Sequence, residues 1–310
     1  MGTAARRVLP LALGALVGVL AAVAVLLVRN QGPAEGTIRP TALPEGASVQ
    51  TVTVGDDQRR HRAHRPAELP AEAPLVVVLH GGGGSALHAE ASYGWPELAE
   101  RAGFVVVHPE GLHRTWKTEG GCCGRAAAQD VDDVAFLTRV IEDVARRVTV
   151  DRDRVFVTGM SNGGMMAYTL ACRTDVFAAV APVAATMLNC ADPSPVAVFH
   201  LHGSADTSVR LDGEPGEGAA EVDGPPVADV IGFWRTTGRC LEATEAVAGP
   251  VRRSVSGCDD GRSVELAVVD GAGHQWPGSD VRRPGADLPF PGRDATEEIW
   301  RFFDAHPQSD

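Results

Sequence analysis

The stretch Val155-Phe156-Val157-Thr158-Gly159-Met160-Ser161-Asn162-Gly163-Gly164-Met165-Met166 decides the fold. Its opening residues, Val155–Thr158, are apolar or β-branched without alternation, the pattern of a strand buried on both faces. Asn162–Cys172 reads as a helix. Between strand and helix stands Ser161, framed by Gly159 and Gly163. A nucleophilic serine here occupies a strained turn, and the flanking glycines let the two backbones pass without a side-chain clash. The plain alternative is a glycine-rich turn with an ordinary serine N-cap. The strand–turn–helix context favours the nucleophile.

Outward from this point the same alternation continues. Leu75–Leu79, Phe104–Val107, Phe177–Val183, Val196–Leu201 and Val264–Val269 read as further strands, and Ser48–Val54 with Arg59–Arg65 as an early hairpin turning at Gly55-Asp56-Asp57. His88–Ala102, Val131–Val148, Val227–Thr237 and Ala295–Ala305 read as helices. Asp130, Asp132 and Asp133 suit the positive end of the second of these, which explains them better than a calcium site without EF-hand spacing. Strands apolar throughout and separated by helices predict an α/β fold, a mostly parallel central sheet with helices on both faces. Ser204–Pro226 and Gly271–Asp294, rich in Gly, Pro and acid, predict long loops at strand ends, where such a sheet keeps its site.

A serine nucleophile requires an oxyanion site, a base and an orienting acid. His80-Gly81-Gly82-Gly83-Gly84 follows a buried strand, and its backbone, through Gly82, together with the N–H of Asn162, is the expected pair of oxyanion donors. A phosphate-cradling loop would need a following Lys-Ser/Thr or a helix-opening G-x-G-x-x-G, and neither is present. After Ser161 come four histidines: His200, His202, His274 and His306. His274, in a loop after a strand, is the expected base. Asp206, just beyond the strand carrying His200 and His202, is the expected acid: it lies between Ser161 and His274, as the chain order Ser, Asp, His requires, and its place at a strand end sets it ahead of Asp212, Asp223 and Asp270. Trp116 and Trp276 fall in loops near this site, where they either wall the substrate pocket or pack within their own loops.

The chain has 310 residues, 28 Lys+Arg against 40 Asp+Glu, and a net charge of −12. That acidity argues against nucleic-acid binding, which needs clustered positive charge. Arg6 and Arg7 precede an uncharged run from Val8 to Val28. It is long enough to span a bilayer, since about 20 residues cross the hydrocarbon. Residues 1–29 are therefore expected to be an uncleaved signal anchor or a cleaved export signal, residues 30–46 a linker, and 47–310 the catalytic domain. Either way the domain lies outside the cell or on its surface, meeting the membrane only through the N-terminal segment. All six cysteines, Cys122, Cys123, Cys172, Cys190, Cys240 and Cys258, follow the leader. An even count in an exported chain predicts disulfides. Cys240 with Cys258 is the best single pair, while Cys122 and Cys123 are expected to find separate partners because a bond between neighbours strains the peptide. No metal-ligand spacing is seen, and no metal or organic cofactor is expected.

The motifs Leu79-His80-Gly81-Gly82, His108-Pro109-Glu110-Gly111, Trp116 before Gly121-Cys122-Cys123-Gly124, Val131-Asp132-Asp133-Val134, Gly159-Met160-Ser161-Asn162-Gly163-Gly164-Met165, His202-Gly203-Ser204-Ala205-Asp206 and Gly273-His274-Gln275-Trp276-Pro277-Gly278 together resemble the polyhydroxybutyrate depolymerase-like esterases, a family of the α/β-hydrolase superfamily that includes feruloyl and acetylxylan esterases. The resemblance covers roughly residues 46–307. It implies an α/β-hydrolase fold, a triad of Ser161, Asp206 and His274, and a serine carboxylesterase acting on small or polymeric esters; the chain is expected to be a monomer. The family often has a cysteine where this chain has Gly82–Gly84, and asparagine where it has Lys117, departures that bear on substrate. The competing readings are a serine peptidase or amidase on the same fold and a non-catalytic surface protein that binds polymer through its tryptophan loops.

Overall fold

The computed structural model describes Gly2 and residues 41–217, 222–279 and 286–308. The chain divides into Met1–Thr41 and Ala42–Asp310, and the fold belongs to the second unit. The expected leader and all but residues 41–46 of the expected linker lie outside the described residues, Gly2 apart. No described helix is long and apolar enough to cross a membrane.

The strands are β1 (Gly46–Val54), β2 (Asp57–Arg65), β3 (Ala73–Leu79), β4 (Val105–Pro109), β5 (Val150–Met160), β6 (Ala179–Val183), β7 (Ala197–Gly203), β8 (Thr244–Ala248), β9 (Val251–Gly257) and β10 (Ser263–Val269). They form one sheet among the described residues, in the order β1-β2-β4-β3-β5-β6-β7-β10-β9-β8. The middle, from β4 to β10, is parallel, and antiparallel strands extend both edges. Every residue of β3, β4, β6 and β7 is buried, as expected of strands covered on both sides.

The helices are α1 (Ala86–Ser92), α2 (Trp95–Ala102), α3 (Gly124–Ala128), α4 (Asp133–Arg147), α5 (Asn162–Arg173), α6 (Val227–Thr237) and α7 (Ala295–Ala305). One face of the sheet packs on α4, α5 and α6, where Phe136, Leu137, Val140, Ile141 and Val144 form the α4 stripe. The other packs on α1, α2 and α7, with Trp95, Phe104, Trp300 and Phe303 in an aromatic cluster. The chain leaves β3 for β4 on one side and returns to β5 on the other. The crevice above the ends of β3 and β5 is thus the point at which strand order reverses, the usual place for a ligand in an open α/β sheet.

Three local expectations are corrected. The helix predicted over His88–Ala102 is two helices, because Gly94 takes a left-handed φ of 75° and Pro96 follows in the first turn of α2. The helix predicted from Val131 starts at Asp133, with the Asp132 carboxylate capping it by accepting from the Ala135 N–H at 2.9 Å. The β8–β9 hairpin was not foreseen at all. Every residue of β8 is exposed, and β9 buries only Ser254 and Ser256, so no apolar run marks them.

The six cysteines form three disulfides. Cys240 pairs with Cys258 as expected, tying the end of α6 to the end of β9. Cys172 pairs with Cys190. The expectation that Cys122 and Cys123 would find separate partners is overturned. They are joined to each other across a cis peptide bond, since the other four are already paired.

His61 on β2 and His108 on β4 are buried, and none of their ring nitrogens has a hydrogen-bond partner. Burial holds His61 down at about 4, with Asp143 pulling it up and Arg147 down. Burial, with Arg62 and His64 nearby, holds His108 at about 3. Both are therefore neutral in the folded protein at pH 5, whereas both protonate in the unfolded chain below its ordinary value of 6.5. Their contribution is fully present above pH 6.5 and is lost as pH falls, down to about 4 for His61 and about 3 for His108. Two protons taken up only on unfolding give a slope of about 3 kcal/mol per pH unit in the lower part of that window. Urea midpoints at pH 7 and pH 5 should differ accordingly, and equal midpoints would mean that these rings are charged in the native state.

Candidate active site

Ser161 sits between β5 and α5 with φ 55° and ψ −124°, a strained backbone for a residue with a side chain. The glycines around it are sterically required. A Cβ on Gly159 would lie 2.6 Å from the Gly163 carbonyl and 2.8 Å from Leu79 Cβ. A Cβ on Gly163 would overlap the carbonyl oxygens of Leu79 and His80, and one on Gly164 would lie 2.7 Å from Ala185 Cβ. The start of α5 is thereby pressed against the ends of β3 and β5, which forces the turn that presents the Ser161 hydroxyl.

His274 Nε2 lies 2.9 Å from Ser161 Oγ, and His274 Nδ1 lies 2.8 Å from Asp206 Oδ2. Asp206 is buried, and its Oδ1 accepts the N–H groups of Ser208 and Val209, both at 2.9 Å. The two loops meet because Gly203 ends β7 without a side chain. A Cβ there would run into the Ala272 carbonyl, and the Ala205 N–H donates to that same carbonyl at 2.9 Å. Three of the sequence rivals are engaged elsewhere. Asp212 pairs with Arg210, Asp270 accepts from Ser204 Oγ, and His306 contacts Ser263 Oγ and the Phe302 carbonyl oxygen.

The glycine-rich loop after β3 passes over the serine turn. A Cβ on Gly81 would be 3.5 Å from Ser161 Cβ, and one on Gly82 would be 3.7 Å from Asn162 Cβ. Gly83 N–H donates to the Arg114 carbonyl at 2.7 Å, and Arg114 Nε donates to the Gly84 carbonyl at 2.9 Å, which fixes the loop from its far side. Asn162 opens α5, so its N–H has no preceding helical carbonyl to bond. Its side chain is occupied. Oδ1 accepts from Trp116 N–H at 2.7 Å and Nδ2 donates to Trp116 O at 3.0 Å. The backbones at Gly82 and Asn162 thus run close to each other beside Ser161.

The tryptophans part company. Trp116 is fully buried, lies between His80 and Phe136, and donates its Nε1–H to the His80 carbonyl at 2.8 Å. It braces the glycine loop from beneath and offers no surface to a substrate, which corrects the reading of it as a pocket wall. Trp276 is buried too, stacked on Tyr93 at 4.4 Å and 8° with its Nε1–H donated to Thr296 Oγ1 at 3.1 Å, but it reaches the lining of a cleft formed with His88, Met160, His274 and Pro289. Asp287 was missed by sequence reasoning. Its carboxylate accepts the His274 N–H at 2.5 Å and so anchors the backbone of the loop that carries the imidazole. The two stand thirteen positions apart in the sequence, and no spacing rule connects them. Near Asp130, Lys117 forms an ion pair with that residue, and Asp133 pairs with Arg59 at 2.8 Å.

A solved acetyl xylan esterase from Aspergillus awamori superposes with a TM-score of 0.60 over 83% of this chain and 99% of its own, at 16% identity, which establishes the α/β-hydrolase fold. The family described as Esterase PHB depolymerase matches residues 65–211, a span that includes the glycine loop, Ser161 and Asp206. Feruloyl esterase C of Emericella nidulans is 30% identical over 242 residues, covering 74% of this chain and 77% of its own. Feruloyl esterase D of Neurospora crassa is 28% identical over 292 residues, covering 87% and 90%. The chain is a carboxylic-ester hydrolase. Within that class it belongs to the Esterase PHB depolymerase family.

Proposed function

We propose that the chain is an exported serine carboxylesterase that cleaves hydroxyalkanoate, phenolic (feruloyl-type) or acetylated polysaccharide esters through an acyl-enzyme. The single observation that carries this reading is the unbroken line from Asp206 through His274 to Ser161, with both contacts under 3 Å. Ser161 Oγ attacks the ester carbonyl while His274 Nε2 takes its proton. Asp206 holds the ring by Nδ1 and steadies the imidazolium that forms. The N–H groups of Asn162 and Gly82 receive the negative oxygen. The imidazolium then protonates the departing alcohol, and water, activated by the same nitrogen, releases the acid and restores Ser161.

The cleft beside His274 is lined by Met160, Tyr93, Trp276 and Pro289, which supports an apolar group in the substrate. Export is supported by the basic-then-apolar run Arg6–Val28 and by three disulfides in the region that follows it. The test is a hydrolysis panel of p-nitrophenyl acetate, methyl ferulate, acetylated xylan and a 3-hydroxybutyrate oligomer, with fluorophosphonate labelling mapped to a residue. Turnover of at least one ester with the label on Ser161 is expected. Absence of labelling would favour a non-catalytic binding role, and preference for an amide over the ester of the same acid would favour a peptidase.

A further inference from the structure

Behind Asp206 lies a buried line of three titratable side chains that the proposed acyl transfer does not use. Tyr168 stands on α5, and His200 and His202 stand two apart on β7, so both rings leave the same face of the strand. Tyr168 Oη is 2.7 Å from His200 Nδ1, and His200 Nε2 is 2.9 Å from His202 Nδ1. His202 Nε2 is 2.8 Å from the Val209 carbonyl oxygen and 3.5 Å from Asp206 Oδ2. The rings of His200 and His202 stack at 5.2 Å and 8°, and all three residues are fully or almost fully buried.

These contacts admit one arrangement of protons for neutral rings. A carbonyl oxygen only accepts, so His202 must carry its proton on Nε2, leaving Nδ1 as an acceptor. His200 must then donate from Nε2 and accept at Nδ1, and the donor that remains is the Tyr168 hydroxyl. The line runs in one direction, from Tyr168 to Val209, and every tautomer along it is fixed. Burial holds both histidines below their ordinary range and pushes Tyr168 up, so rings and phenol stay uncharged.

We propose that Tyr168, His200 and His202 form a neutral positioning chain that holds the Asp206 carboxylate in register with His274, an inference that rests on the triad reading above. His202 grips the carbonyl of Val209, whose own N–H is bonded to Asp206 Oδ1. The segment from 206 to 209 is thereby closed into a ring around the carboxylate. The same His202 N–H lies beside Oδ2, the oxygen that faces His274. A lysine or arginine in that place would neutralise Asp206 and weaken its hold on the imidazolium. A neutral N–H orients the carboxylate and leaves its charge available.

The test uses the full chain with four substitutions, Tyr168→Phe, His202→Gln, His202→Leu and Ser161→Ala, and reads kcat and KM on p-nitrophenyl acetate beside melting temperature. Misplacing a catalytic group by a fraction of an ångström is expected to lower kcat on the order of 10- to 100-fold in His202→Leu with KM within about twofold, and about 3- to 10-fold in Tyr168→Phe. His202→Gln, whose amide places an N–H near the position of Nε2, should recover most of the loss. If His202→Leu fails to fold, the near-isosteric Tyr168→Phe carries the decision. Variants that melt earlier but keep the wild-type kcat would overturn the proposal and leave these residues as core packing. A Ser161→Ala enzyme of full activity would instead overturn the triad reading beneath it, so the two failures are distinct.

Discussion

Replacing Ser161 with alanine should lower kcat on p-nitrophenyl acetate by about 10^4- to 10^6-fold and abolish fluorophosphonate labelling, with the melting temperature almost unchanged. The change deletes one hydroxyl from a partly exposed position whose side-chain partner is His274 Nε2. Alanine keeps the Cβ that the strained turn already accommodates at φ 55°, so the elbow itself is not asked to rebuild. What disappears is the atom that forms the acyl bond. The residual rate would reflect substrate binding and the proposed oxyanion donors at 82 and 162 acting on a water molecule. Wild-type turnover by this variant would remove Ser161 from the chemistry.

Asp206→Asn tests the acid without changing its shape, and kcat should fall about 10^4-fold with little change in KM. The direction follows from the contacts. Oδ1 accepts two backbone N–H groups, from Ser208 and Val209, so an amide here must place its oxygen in that position. Its NH2 then faces His274 Nδ1, which must become an acceptor. The His274 proton moves to Nε2, and the ring can no longer take the proton of Ser161. Unaltered kcat would mean that another acid orients the imidazole. Two of the rival carboxylates in the sequence, Asp212 and Asp270, are bound to Arg210 and Ser204.

Much of this architecture is readable in the chain because burial on both faces leaves a plain mark. β3 and β6 are apolar from end to end, β4 and β7 are broken only by His108, His200 and His202, and each announces itself in the sequence. Ser161, Asp206 and His274 stand out for a related reason. Each follows a strand and carries small residues beside it, and the structure shows why: Gly159, Gly163 and Gly203 sit where any Cβ would strike another backbone. Features without such a mark stayed hidden. The β8–β9 hairpin pairs by backbone at an edge and has little to bury, so its side chains look like those of a loop. Gly94 divides a helix-like pattern through its φ, which hydrophobic spacing does not register. His200 and His202 read as ordinary interior histidines, and only the placement of Tyr168 and Val209 turns them into a directed line.

The β8–β9 hairpin has a consequence of its own. Cys240 precedes it and Cys258 follows it, and the two are covalently linked. Cleavage of the backbone anywhere between them, for instance in the exposed turn around Gly249, would leave both fragments of the chain fastened together. The outermost flap of the sheet can therefore be nicked in a protease-rich setting without detaching β10 or the His274 loop beyond it, and an intact enzyme and a clipped one would migrate alike until the disulfide was reduced.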